Sequence, residues 1–321
     1  MSRPSAVPPP VTAVLDASSR WLPSRLGQVE ELLREQTRGH GELLAADASA
    51  TLAAGGKRLR PLLVLLCAGP EAGEEVVRGA AAIELVHMAT LVHDDVLDEA
   101  PLRRGLPTVA ATSGRDRAVA VGDLLFSRAF VQLAGHGDAR SVVLLAEASV
   151  ALAEGELAQR RDAFDIQISE GRYLHRCRLK TGKLFECACR MGSDAEEMAE
   201  FGSRIGLAFQ LLDDVLDVSG PPERTGKARG TDLLDGTVTL PLIEAARLDA
   251  SLADTDLRSL DPSSVEALCD RIAATGALER VRERALAMVA AAKQRLASSP
   301  FDAERRKLLD LVADGVVQRY S

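Results

Sequence analysis

Aromatic residues are scarce in this chain: one Trp, two Tyr and seven Phe make up 3% of its 321 residues. A nucleic-acid binder usually carries stacking aromatics and a basic face. Here 39 Lys and Arg are outnumbered by 47 Asp and Glu, a net charge of −8, so nucleic acid is not an expected partner. Long apolar runs are missing too. The run Pro61 to Pro70 covers ten residues, against about 20 needed to cross a bilayer, so no transmembrane segment is expected. The five cysteines, Cys67, Cys177, Cys187, Cys189 and Cys269, are too few and odd in number for a disulfide framework. Cys187, Cys189 and nearby His175 match no common zinc spacing; the cysteines read as small core residues. The N-terminus holds Pro4, Pro8, Pro9 and Pro10 and no apolar signal segment. Residues 1–20 are read as a flexible Pro-rich tail, 21–321 as one folded unit, and the protein as cytoplasmic.

Strand signals are nearly absent: β-branched residues rarely alternate, and no Asn-Gly hairpin occurs. Apolar residues instead recur at helical steps, as in Ile83, Val86, Thr90 and Leu91, or Leu207, Leu211 and Val215. Segments such as Ser141–Glu154 are rich in strong helix formers. Glycine and proline breaks at Ala54–Gly56, Gly69–Gly73, Gly105–Pro107, Gly135–Gly137, Gly192–Ser193, Ser219–Arg229 and Leu260–Ser263 divide the chain into helix-length pieces. The expected fold is all-α, a large single-domain helical bundle. Arg103–Thr108 and Gly220–Gly236 are expected as exposed loops, the second long enough to be functional.

The sharpest feature is a string that occurs twice. Asp94-Asp95-Val96-Leu97-Asp98 is repeated as Asp213-Asp214-Val215-Leu216-Asp217. With 24 Asp in the chain, a D-D-x-x-D pattern is expected roughly 0.13 times by chance. On a helix Asp94 meets Asp98 and Asp213 meets Asp217, because positions four apart share a face. Like charges so placed repel, and a solvated acidic face or a helix start is the bland explanation. Two identical copies on apolar helices favour a hard cation instead. Mg²⁺ takes oxygen ligands, keeps its waters, and is typically held by one or two carboxylates plus substrate phosphates. Six carboxylates alone repel one another, so a polyanionic substrate is expected to complete the site.

A polyanion also needs cationic donors. Lys57 and Arg60 follow the glycine turn Gly55-Gly56, Arg103 and Arg104 follow the first acidic string, and Lys180-Thr181 and Lys227 supply more. Arg suits bidentate phosphate contacts and Lys acts as a point charge. His93, beside Asp94, reads more simply as a hydrogen-bonded core residue.

From about Leu52 to Ala246 the chain resembles the polyprenyl synthetase (trans-isoprenyl diphosphate synthase) family. The matching segments are Gly55–Pro61, Ile83–His87 through His93–Asp98 to Arg103-Arg104-Gly105, Val121-Gly122-Asp123, Ala153–Glu156, Lys180-Thr181, Phe209–Asp214 and Thr239-Leu240-Pro241. The resemblance implies an all-α homodimer with a central cavity, which condenses isopentenyl diphosphate head-to-tail with an allylic diphosphate. It implies that Asp94, Asp98, Asp213 and Asp217 ligate Mg²⁺, three ions with substrate bound, with Asp95 and Asp214 in support. Arg103, Lys180, Thr181, Gln210 and Lys227 would grip the allylic diphosphate; Lys57, Arg60, His87 and Arg104 would hold isopentenyl diphosphate. One position departs from the pattern: the family carries Lys where this chain has Thr237, which removes one cation from the allylic diphosphate.

Product length in this family depends on the helix ahead of the first string. Ala89, Thr90 and Val86 are small or modest there, which implies an open tunnel and a medium or long all-trans chain. Leu144, Leu145 or Phe130 are candidates for a deeper floor. The alternatives are a short-chain synthase making geranylgeranyl or farnesyl diphosphate, and a noncatalytic partner subunit of a prenyl synthase. A terpene cyclase would usually replace the second string by an Asn/Ser/Glu triad, and a His-Asp phosphohydrolase needs more clustered histidines than these five.

Overall fold

The computed structural model describes residues 9–18, 21–38, 41–220 and 229–318. In chain order the helices are α1 (Pro9–Ala17), α2 (Trp21–Gln36), α3 (Glu42–Ala53), α4 (Leu59–Ala68), α5 (Glu74–Leu97), α6 (Val109–Ser113), α7 (Arg115–Ala134) and α8 (Ala139–Arg161). There follow α9 (Glu170–Cys177), a π-helical turn (Arg178–Gly182), α10 (Lys183–Gly192) and α11 (Glu196–Ser219). The remainder is α12 (Thr231–Leu234), α13 (Leu240–Leu248), α14 (Pro262–Ala274), α15 (Ala277–Ala297) and α16 (Ala303–Gln318).

Helix α5 organises this bundle because it is apolar on nearly every face. Val77, Ala80–Ala82, Ile83, Leu85, Val86, Met88 and Ala89 are all buried. It packs along α7 and also contacts α4, α2 and α10. Glu74 and Glu75 occupy its first turn, where carboxylates complement the helix dipole. Among the described residues it is the one helix long and apolar enough to cross a bilayer, and 67% of that stretch is buried inside the bundle. Helix α11 is its counterpart; it also opens on acids, Glu196 and Glu197, and it packs along α15 and α10.

The flexible tail expected over 1–20 contains a helix. Pro9–Ala17 forms α1, which packs on α16, and Val14 is buried. Prolines are tolerated in a first helical turn, where the missing N–H has no partner to lose. Residues 1–8 and 19–20 lie outside the described residues, as do most of the loop after α11 and Lys227 within it.

The Arg103–Thr108 segment is a miniature hairpin. Strands β1 (Leu102–Arg103) and β2 (Leu106–Pro107) pair antiparallel, and Arg104 and Gly105 at the turn have φ of 53° and 76°. Two consecutive left-handed residues make the tight turn whose twist suits a hairpin. The four-residue ladder was too short for an alternation pattern to show. All five cysteines are buried thiols.

Candidate active site

The two acidic strings occupy the C-terminal ends of α5 and α11. This end of a helix carries partial negative charge, so a carboxylate there is unfavourable without compensation. A helix start is therefore excluded as their explanation. Asp98 caps α5, and its N–H reaches the Asp94 carbonyl at 2.8 Å.

Between the strings lies a cavity of about 490 Å³. His87, Thr90, Leu91, Asp94, Leu97 and Asp98 line it from α5, Gln210, Asp213 and Asp214 from α11, and Lys180 and Thr181 from the π-turn. The α5 set steps by three and four residues, so one stripe of an otherwise buried helix opens on the cavity. Glu156 and Gln159 of α8, Arg60 of α4, Arg103 of the hairpin, and Asp232, Asp235 and Thr237 complete the polar wall. Phe126, Ser149, Leu152 and Phe209 supply apolar wall.

Val86 and Ala89, expected on the product tunnel, are absent from that wall. Both are fully buried, one turn below Thr90 and His93 respectively. Thr90 alone of the three expected chain-length residues faces the cavity. The expected floor candidates Leu144, Leu145 and Phe130 are off the wall as well; Phe130 stacks behind Phe126 at 5.3 Å between ring centroids.

The first string is met by cations of the chain itself, contrary to the expectation of bare repulsion. Arg103 Nε donates to Asp95 Oδ1 at 2.6 Å. Arg160 Nη2 lies 2.5 Å from Asp98 Oδ1, and Lys180 Nζ lies 2.5 Å from Glu156 Oε2. Burial pushes the Asp94 carboxyl up to about 6, against the pull of Lys180 and with the added repulsion of Glu156 and Asp98. Burial opposes the charge of Lys180 most, yet Asp94 and Glu156 together hold its pKa above the usual value.

The second string is held differently. Asp214 is buried, and burial first, then Asp232, push its carboxyl up to about 8. The Tyr173 hydroxyl donates to Asp214 Oδ2, Gln210 Nε2 donates to Asp214 Oδ1 at 2.8 Å, and Thr181 Oγ1 donates to Gln210 Oε1 at 2.7 Å. This relay ties α9, the π-turn and α11 together. A π-turn inserts an extra residue into a helix, and here it presents Lys180 and Thr181 side by side to the cavity. Asp213 is exposed on the wall. Asp217 lies off it; its Oδ2 accepts the Asp232 N–H at 3.3 Å and its carbonyl accepts the Gly230 N–H at 2.9 Å. It fastens the returning chain.

Basic groups gather at the other pole. Arg60 sits 4.7 Å over the Phe185 ring, its buried Nε meets no acceptor, and burial pushes its pKa down to about 10 against the pull of Glu84. His87 is held well below the usual imidazole range, by burial first and then by Arg60, Arg104, Arg103 and Arg58. It is therefore neutral at pH 7. Arg104 donates to the Gly55 carbonyl, and Arg58 pairs with Glu30 at 2.5 Å and Glu84 at 2.9 Å. Lys57 and Arg104 flank this pole without lining the cavity. His93, read as a core residue, is on the wall and reaches Asp123 at 3.4 Å.

The donor set on the acid face is entirely oxygen, which fits a hard cation such as Mg²⁺. Among the described residues no three His, Cys, Asp or Glu are grouped tightly enough to hold a metal by themselves. An ion there needs outside oxygens, as a diphosphate supplies. The orphaned guanidinium N–H of Arg60 fits an anion at the other pole.

Sequence reading missed Arg160, Tyr173, Arg176, Asp232 and Phe126, and quoted Glu156 and Asp235 without a role. Each reaches the site across a long stretch of chain, and none stands in a periodic signal.

The polyprenyl synthetase family model matches residues 42–266. Component 2 of heptaprenyl diphosphate synthase from Geobacillus stearothermophilus is 38% identical over 83% of this chain and 87% of its own length. Octaprenyl diphosphate synthase of Escherichia coli is 35% identical over 80% of this chain and 84% of its own. The crystal structure of a polyprenyl synthase from Caulobacter crescentus, complexed with calcium and isoprenyl diphosphate, superposes with a TM-score of 0.90 at 32% identity, covering 99% of this chain and 100% of that one. With the two acidic helix ends, the basic pole and the cavity between them, these likenesses make the chain a member of the polyprenyl synthetase family.

Proposed function

We propose that this enzyme condenses isopentenyl diphosphate head-to-tail with an allylic diphosphate, in the presence of Mg²⁺, and releases a medium- or long-chain all-trans polyprenyl diphosphate. One observation carries the reading: the acidic ends of α5 and α11 line the same cavity as Lys180 of the π-turn and Arg60 of α4.

Asp94, Asp98 and Asp213 are the residues proposed to hold Mg²⁺, with Asp214 positioned by Tyr173 and Gln210. The ions, three in the family pattern, supply charge stabilisation to a departing diphosphate. Lys180 and Thr181 bind the same leaving group from the π-turn. As the allylic C–O bond lengthens, negative charge grows on the leaving oxygen, and these fixed donors stabilise it without reorganising. Arg60, His87 and, from the flank, Lys57 and Arg104 hold isopentenyl diphosphate with its double bond near the allylic carbon. The apolar wall of Leu91, Phe126, Leu152 and Phe209 excludes water from the cation and receives the growing chain. Arg103, paired with Asp95, positions the first string. Thr237 on the wall leaves the allylic diphosphate one cation short of the family pattern.

The active form is proposed to be a homodimer, supported by an apolar stripe on α8: Val143, Val150 and Leu157 are 54%, 60% and 64% exposed. The five free thiols support a reducing, cytoplasmic setting. Incubation with Mg²⁺, isopentenyl diphosphate and each allylic primer, read by mass, tests the reading. Polyprenyl diphosphates beyond the geranylgeranyl length are expected; no condensation product with any primer refutes it.

A further inference from the structure

Beside the acid face stands a cation with no role in the condensation itself. Arg160 stands in the last turn of α8. Its Nε donates to Glu156 Oε1 at 2.8 Å and its Nη2 to Asp98 Oδ1 at 2.5 Å. The other Glu156 oxygen takes Lys180, which faces Asp94. Asp98, Arg160, Glu156, Lys180 and Asp94 thus alternate in sign around the acid face.

We propose that Arg160 is a positioning residue that holds the Asp98 carboxylate in place and competes with the divalent cation for it until a diphosphate arrives. The proposal rests on the reading of Asp94 and Asp98 as metal ligands and adds to it an order of events. Asp98 caps the negative end of α5, so it needs a positive partner at rest. A guanidinium on its oxygen supplies that partner, takes a lone pair the metal would use, and sets a positive charge beside the metal's place. Both effects oppose entry of the metal alone. A diphosphate changes the balance, because its oxygens accept a guanidinium at least as well as a carboxylate does. The pair then opens without stranding either charge: Asp98 turns to the cation and Arg160 to phosphate. The Arg160 side chain is 41% exposed, which leaves it room to swing.

The test titrates Mn²⁺ into the full-length protein with and without inorganic pyrophosphate, and follows free Mn²⁺ by electron paramagnetic resonance. Arg160→Met keeps the length of the stem and removes the charge; Arg160→Gln is a second neutral variant. Without pyrophosphate both are expected to bind Mn²⁺ about tenfold more tightly than wild type, the scale of removing one nearby charge. Arg160→Lys should restore most of the wild-type weakness. With pyrophosphate the gap should close or reverse. Equal Mn²⁺ affinity of wild type and both neutral variants without pyrophosphate overturns the proposal while leaving the ligand reading intact. Should Asp98→Asn take up Mn²⁺ with pyrophosphate as well as wild type does, the ligand reading itself fails, and the proposal with it.

Discussion

The Cβ that Gly155 lacks would stand 2.5 Å from the backbone nitrogen of Lys180. Helix α8 and the π-turn therefore touch backbone to backbone at the point where the turn delivers Lys180 to the cavity. Gly155→Ala forces one of them to move. Lys180 neighbours Asp94 and is held by Glu156, so the displacement reaches the acid face directly. A misplacement on the order of 1 Å costs about a hundredfold in rate. The expected outcome is a fall of about that size in kcat/KM for the allylic diphosphate, read by initial rates, with the cavity still formed. A fall confined to the other substrate would show that the π-turn does not serve the allylic site.

Tyr173 is fully buried and its hydroxyl donates to Asp214. Tyr173→Phe leaves that carboxyl with Gln210 as its remaining side-chain donor. Loss of a buried hydrogen bond to such a group costs about 1–3 kcal/mol, so the denaturant midpoint should fall accordingly. Because Asp214 stands in the second string, the Mg²⁺ requirement of the reaction should also rise. An unchanged metal requirement with a lowered midpoint would make Tyr173 a fold residue alone.

The helices and both strings were legible in the sequence because they are local. Apolar residues at steps of three and four mark α5 and α11, and a repeated five-residue string needs no partner to be recognised. Which face of α5 opens on the cavity was not legible. The helix is apolar all round, so its period is silent about the stripe, and Ala89 and Thr90 look alike until α7 and α4 are packed beside them. The neutralisation of the first string was hidden for another reason. Arg160 and Asp98 are 62 residues apart, and only the meeting of α8 with the end of α5 makes them a pair. The Leu102–Pro107 hairpin rests on two-residue strands, below the length at which alternation is visible.

Chain length gives a prediction that separates the cavity wall from the buried core behind it. Leu91 and Phe126 line the cavity, whereas Ala89 is fully buried. Phe126→Ala is expected to lengthen the products and Leu91→Phe to shorten them, read by mass spectrometry of the extracted chains. Ala89→Phe is expected to act on stability instead. Overpacking of a filled core costs about 1–3 kcal/mol, occasionally more, and the melting temperature should drop. Shortened products from a stable Ala89→Phe enzyme would extend the tunnel past Ala89.

His87 makes the fold sensitive to mild acid. In the native protein burial and four arginines hold it neutral, well below its ordinary value. In the unfolded chain it takes up a proton below about pH 6.5. The unfolded state then binds more protons, so stability is fully present above that pH and falls as the pH drops below it toward the native value. Denaturation midpoints of wild type and His87→Gln at pH 7.5, 6.5 and 5.5 isolate this contribution. The variant should lose less stability between 6.5 and 5.5 than wild type does; parallel curves would mean that His87 titrates alike in both states.

Val143, Val150 and Leu157 recur every seven residues along α8, and all three are more than half exposed. A seven-residue apolar repeat keeps one stripe of a helix facing a partner over several turns. Exposed apolar side chains repeated on one helix face suit the proposed contact with a second copy. Leu157 follows Glu156, which holds Lys180 and Arg160, so whatever covers the stripe also steadies the acid face. The double change Val150→Lys and Leu157→Lys alters two exposed positions and should leave the stability of the isolated fold within about 0.5 kcal/mol each. By sedimentation velocity it should convert a dimer to a monomer, and its turnover should fall about tenfold as Glu156 loses its restraint. A variant that stays dimeric puts the interface on another face of the bundle; one that is monomeric with full turnover means the second copy contributes nothing to the site.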